Sequence, residues 1–157
     1  MMVDPERQRH RVTRIIAATR FPFLDQEEDS WPPSYQTIVN DEQNRFGIKG
    51  PDEIGIIYPS IVILRGDGGV QELGMVEPAG NVNQERAKVW QFLSDSTSVG
   101  RTHKKLFVYV PHGYEDEGLK VLEDNDIEYD GLRGYGVVDG NLKIYPIKTH
   151  DSPHDHR

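Results

Sequence analysis

Cysteine is absent from the 157-residue chain, which excludes a disulfide scaffold, thiolate zinc sites and cysteine nucleophiles and suits a reducing cytosol. Long hydrophobic runs are missing too. No apolar stretch approaches the roughly 18 residues of a membrane-spanning helix, and the opening segment Met1 to Arg11 is polar and arginine-rich where a signal peptide would be apolar. An excess of positive charge is also lacking: 18 Lys and Arg stand against 26 Asp and Glu, for a net charge of −8. That balance excludes a histone-like or polybasic role, because it does not create the field that non-specific nucleic-acid binding needs. These absences predict a soluble, cytoplasmic protein with no membrane partner.

The length predicts one domain with its own core, assigned to residues 1–149. Residues 150–157 contain three histidines and no apolar residue, and read as a flexible tail. Negative charge gathers toward the end. Residues 111–157 carry 5 basic and 11 acidic side chains, whereas residues 1–50 carry 7 and 8.

Asp4 and Pro5 suit a helix start, since Asp caps orphan amides and Pro fits the first helical position. Val12, Ile15, Ile16 and Thr19 follow at helical spacing, with Arg7, Arg11 and Arg14 on the opposite face. Tyr35, Ile38, Val39, Glu42 and Phe46 repeat that period and predict a second helix ending at Gly47. From Ile54 the pattern changes to β-branched runs. Ile56 to Tyr58, Ser60 to Leu64 and Val70 to Glu77 predict strands, the last two joined across Gly66-Asp67-Gly68-Gly69 as a hairpin. A helix from Asn83 presents Ala87, Trp90 and Leu93 inward, and Leu106 to Val110 is continuously apolar, as in a central strand covered on both faces. Glu115-Asp116-Glu117 begin another helix, Ile127 to Leu132 return to strand, and Asp139-Gly140 closes a second hairpin. The sum is an α/β sandwich with a mixed sheet flanked by helices and a C-terminal β-hairpin.

One constellation resembles a known family. Tyr58-Pro59-Ser60 leading into Ile61 to Leu64, a glycine turn, Glu72 to Glu77, a Trp-bearing helix and the strand ending at Pro111 are similar to the core of the PD-(D/E)XK, restriction endonuclease-like superfamily, over roughly residues 50–145. In that family an Asp begins one strand while an acid and a lysine stand two residues apart on the next. Strand residues two apart share a face, so the three converge. The resemblance implies that two carboxylates hold Mg²⁺, which polarises a phosphodiester and activates water. The family Asp, acid and lysine align here with Ser60, Met75 and Glu77. Serine without carboxylate partners anchors Mg²⁺ poorly and thioether sulfur is too soft for it, so the resemblance implies a degenerate site needing no cofactor. The protein would then be a nucleic-acid- or protein-binding module. The alternative is a Mg- or Mn-dependent nuclease in which Glu77 and Asp67 hold the metal, with Asp52 or Glu53 as substitutes. Glu72 falls on the other strand face, and Glu6 sits too far toward the helix start.

Arg7, Arg11 and Arg14 match phosphate oxygens chemically and are the candidate nucleic-acid contacts, against the plainer reading of a solvated helix face. Gly131-Leu132-Arg133-Gly134-Tyr135-Gly136 precedes a hairpin where a phosphate loop would precede a helix, so its glycines read as a sharp β-bend. His103 and His112 flank the central strand and read as surface residues; Trp31 belongs to a proline-rich connection. A second copy of the chain joins nucleic acid and other proteins among the expected partners, as a two-fold dimer.

Overall fold

Helix α1, Pro5–Thr19, begins the residues described by a computed structural model of the chain, which are 5–19, 36–41, 43–66, 68–97 and 106–149. Val12 and Ile16 are fully buried along it, while Arg7, Arg11 and Arg14 are exposed, so the amphipathic spacing sets which side meets the core. Asp4, Trp31, Asp67, His103 and the tail 150–157 lie outside the described residues.

A six-stranded mixed sheet forms the centre. Its strands are β1 (Gln36–Val39), β4 (Ile61–Leu64), β5 (Val70–Val76), β6 (Leu106–Pro111), β7 (Gly131–Val138) and β8 (Asn141–Thr149), in that spatial order. β2 (Ile48–Lys49) and β3 (Ile56–Ile57) pair separately as a small antiparallel ribbon. β4 and β5 form the expected hairpin, β5, β6 and β7 run parallel, and β8 returns antiparallel. Helices α2 (Ala87–Ser96) and α3 (Glu115–Asp124) make the two parallel crossovers. Their residues Trp90, Leu93, Val121 and Leu122 share one core with Leu73, Val108 and Leu132. α1 covers the other face, where Val12 and Ile16 pack with Ile61, Val76, Phe107 and Tyr109. β6 is therefore buried on both sides, as its uninterrupted apolar run requires.

Where a helix ending at Gly47 is expected, residues 36–41 and 43–46 hold β1 and non-helical backbone; Tyr35 and Glu42 lie outside the described residues. Thr37, Ile38 and Val39 are β-branched and pair with Ile63, Val62 and Ile61, so ladder pairing overrides a helical period. Ile38 and Phe46 both pack on the core, from two different segments. Asn40 terminates the strand. Its side-chain nitrogen donates to the carbonyls of Phe46 (2.8 Å) and Pro59 (2.6 Å), and its oxygen accepts from the amides of Arg45 (2.7 Å) and Phe46 (3.0 Å).

The strand expected at Ile127 to Leu132 starts later, at Gly131. Asp126, just after α3, takes a positive φ of 52°, and Ile127 donates its N–H to the Leu122 carbonyl and is buried in the core before pairing begins. The glycines of Gly131 to Gly136 lie within strand β7, whose pairing with β8 shifts register between Leu132 and Arg133. Close packing explains Gly134, since a Cβ there would clash with the Glu115 carboxylate. Asp139 and Gly140, at φ 53° and 80°, make the two-residue turn whose twist matches its strands.

Candidate functional site

Antiparallel pairing of Ile61 with Gly74 sets Ser60 beside Met75, and Glu77 follows on the same strand face. The fold thus brings together the three positions aligned with the nuclease motif. All three are buried. The Ser60 hydroxyl accepts the Val76 amide at 2.8 Å and lies 4.0 Å from the Met75 sulfur.

Glu77 is held at every polar atom. Its amide donates to the Tyr109 carbonyl and its carbonyl accepts the Tyr135 hydroxyl, both at 2.8 Å. Oε2 accepts the Trp90 indole N–H and Arg86 Nε, each at 2.7 Å; Oε1 accepts Arg86 Nη2 and the Asn81 amide, each at 3.3 Å. The local sequence builds this arrangement. Pro78 stops the strand, a 3-10 turn at Ala79–Asn81 follows, and Asn83 caps the next 3-10 turn by accepting the Arg86 amide. Arg86 and Trp90, four apart at the start of α2, then share one helix face directed at the carboxylate.

These residues do not fit a divalent cation of the Mg²⁺ class. Both Glu77 oxygens already carry charge-assisted bonds, a guanidinium supplies their counter-charge, the Ser60 oxygen is engaged by a backbone amide, and Met75 offers only sulfur. Among the described residues no cluster of three or more His, Asp or Glu is arranged to hold a metal. Asp67 lies outside those residues, and Asp52 and Glu53 occupy an exposed turn. Glu72 is on the other face, as strand alternation predicts, and is buried.

A pocket of about 440 Å³ opens over Met75 and Glu77. Sequence reasoning missed most of its walls, because they come from separate segments: Arg9 and His10 on α1, Asn40, Asp41 and Asn44 after β1, Tyr58 after β3, and Asn81 and Arg86 before α2. Asp41 is the second carboxylate in the pocket lining. Burial opposes its ionisation, but the Gln43 amide and the Arg45 guanidinium, at 3.3 and 2.9 Å, outweigh that and hold its carboxyl below the usual value. Arg14 adds a longer ion pair to Asp41 at 3.7 Å.

The arginine stripe lies outside this pocket. Arg7, Arg11 and Arg14 project from the outer side of α1, and Arg11 reaches the Gly140 carbonyl of the β7–β8 turn at 3.4 Å. That face runs from the loop after β1 to the C-terminal hairpin.

His112, expected as a plain surface residue, has a built environment. Its side chain is 56% exposed, yet Nδ1 lies 2.6 Å from Glu115 Oε2 and the ring stacks on Tyr145 with centroids 3.8 Å apart. Burial would raise the Glu115 carboxyl, but His112 and the Gly113 amide draw it below the ordinary value. No described helix is long and apolar enough to cross a membrane. Comparisons with protein-family models, with curated proteins and with solved structures return no match for this chain.

Proposed function

We propose that this protein is a restriction endonuclease-like domain that has lost its metal chemistry and binds nucleic acid without cleaving it. The β4–β5 hairpin supports the family reading, since it juxtaposes Ser60, Met75 and Glu77 in the manner the motif requires. One observation carries the loss of cleavage: the Arg86 guanidinium grips both oxygens of Glu77, where a nuclease would need a divalent cation. Arg7, Arg11 and Arg14 provide the phosphate-contacting face, a local basic surface on an acidic protein.

The runner-up is a Mg- or Mn-dependent nuclease. It is favoured by one observation, that Asp41 and Glu77 line a single pocket. Asp41 would then take the place given to Asp67 in the sequence reading.

Fluorescence anisotropy with labelled single- and double-stranded DNA and RNA, at several salt concentrations, tests the leading reading. Binding should weaken steeply with salt and be lost in the Arg11→Glu, Arg14→Glu double variant. No cleavage should accompany it in Mg²⁺ or Mn²⁺. Cleavage abolished by Glu77→Gln in a folded variant establishes the runner-up, whereas binding that ignores salt and both arginines overturns the arginine face and directs the search to protein partners, including a second copy.

A further inference from the structure

Strand β1 is one edge of the six-stranded sheet, and its ladder with β4 decides which of its backbone groups face outward. Residues of an antiparallel pair alternate between those whose N–H and C=O point at the neighbouring strand and those whose groups point away. The Asn40 amide donates to the Ser60 carbonyl at 2.9 Å, so Asn40, Ile38 and Gln36 turn toward β4, and Thr37 and Val39 turn away from it. Arg45 Nη1, which donates to the Val39 carbonyl at 2.5 Å, reaches it from that outer side. Among the described residues nothing hydrogen-bonds to the Thr37 amide, the Thr37 carbonyl or the Val39 amide.

The opposite edge of the sheet is protected. β8 contains Pro146 between Lys143 and Lys148, and proline and lysine on an edge strand both discourage the addition of another. β1 reads Gln36-Thr37-Ile38-Val39, with no charge, no proline and no shift in its register. Its β-branched residues favour further pairing.

A groove of about 670 Å³ runs along this open edge, between β1 and the last turns of α1, where Arg14, Ala17 and Asp41 line it beside the strand itself. Ile38 packs with the α2 and α3 core, so Thr37 and Val39 project to the other, α1 side of the sheet. Thr37 is exposed there and Val39 half-buried. Asp41, with Arg45 at 2.9 Å and Arg14 at 3.7 Å, gives the groove both signs of charge. A polyanion would meet the acid, whereas an uncharged strand that lays small β-branched side chains beside Ala17 suits the space. β1 is itself such a strand.

We infer that two copies of the chain join through β1, antiparallel about a two-fold axis, so that their sheets become one. The outward groups are self-complementary about such an axis, since each copy offers donors and acceptors on the same two residues, Thr37 and Val39. The axis stands perpendicular to the sheet, and each copy therefore keeps its faces. Thr37 and Val39 of one copy arrive on the α1 side of the other, beside Ala17, and both α1 helices share one face of the dimer. Association through β1 does not require that the arginine face bind nucleic acid.

Sedimentation equilibrium of the full chain over about 1–200 µM provides the test, because an interface limited to one edge strand belongs to the weak end of the range. A dimer should form with a micromolar dissociation constant, and the Thr37 and Val39 amides should exchange with deuterium about tenfold more slowly at the highest concentration than at the lowest. Thr37→Pro removes an outward N–H while leaving the bonds to β4 in place, and should weaken association by about tenfold or more. Thr37→Lys, which keeps the backbone groups and adds charge to the edge, should also weaken it. An amide NMR spectrum of each variant establishes that it is folded. Three results overturn the interface: a monomer throughout this range, a dimer whose affinity survives in both folded variants, or Thr37 and Val39 amides that exchange equally fast in monomer and dimer.

Discussion

The indole N–H of Trp90 donates to the same Glu77 oxygen as Arg86 Nε, each across 2.7 Å, so one buried carboxylate fastens the start of α2 to the end of β5. Trp90 is completely buried and Glu77 nearly so. The indole bond is therefore formed away from competing water, where an orphaned partner is costly, while the Arg86 bond is partly buried.

Trp90→Phe keeps most of the ring and removes the donor. It should lower stability by about 1–3 kcal/mol in urea or guanidinium unfolding. Glu77→Ala should be worse, about 2–4 kcal/mol, because it leaves the indole N–H and a half-buried guanidinium without their acceptor. A Glu77→Ala protein as stable as wild type would show that the network adds nothing to folding.

Magnesium offers a second check. With Arg86 already neutralising Glu77, millimolar Mg²⁺ should leave the thermal midpoint of the wild-type protein unchanged, since a ligand stabilises only what it binds. A rise in midpoint that scales with Mg²⁺ concentration and vanishes in Asp41→Asn would place a cation between Asp41 and Glu77.

Gly134→Ala probes the contact between β7 and α3. The added methyl would meet the Glu115 carboxylate, which is tied to His112 and the Gly113 amide and cannot swing away without losing both. The substitution should destabilise by about 1–3 kcal/mol, and much less in a Glu115→Ala background. Equal losses in both backgrounds would locate the strain elsewhere.

Acid should expose the same pair. The Glu115 carboxyl is lowered from 4.5, so its ionised form stabilises the fold above that unfolded value, and the contribution disappears as pH falls through the lower folded one. Between about pH 6 and about pH 3, wild-type protein should therefore lose more stability than Glu115→Gln, as followed by chemical denaturation at each pH. Parallel curves would remove Glu115 from the acid response.

Much of this architecture was legible because single elements announce themselves locally. The stripe of Val12 and Ile16, the apolar run of β6 and the Asp139-Gly140 turn each carry their physical cause within a few residues. The segment after Tyr35 misled because Ile38 and Phe46 share a helical spacing by coincidence. The deciding fact, that Ile38 pairs with Val62, lies in another strand. The juxtaposition of Ser60, Met75 and Glu77 was readable because hairpin register and two-residue alternation are local rules. Arg86, Asn81, Asp41 and Arg9 were not, because only tertiary folding gathers them around one cavity. A Trp four residues after an Arg was a faint signal for the Glu77 network, but it names no acceptor.

The arrangement of the sheet also bears on how the chain assembles. β4–β5 and β7–β8 are antiparallel neighbours joined by short turns, whereas both pairings of β6 are parallel and enclose a helix. Loop-closure entropy makes the hairpins early and the β6 seams late. The Tyr135 hydroxyl, bonded at 2.8 Å to the Glu77 carbonyl from the far side of β6, can form only once both seams have closed. It ties the end of β5 to β7 across the strand that separates them, so the two hairpins are joined by a bond that neither can make alone.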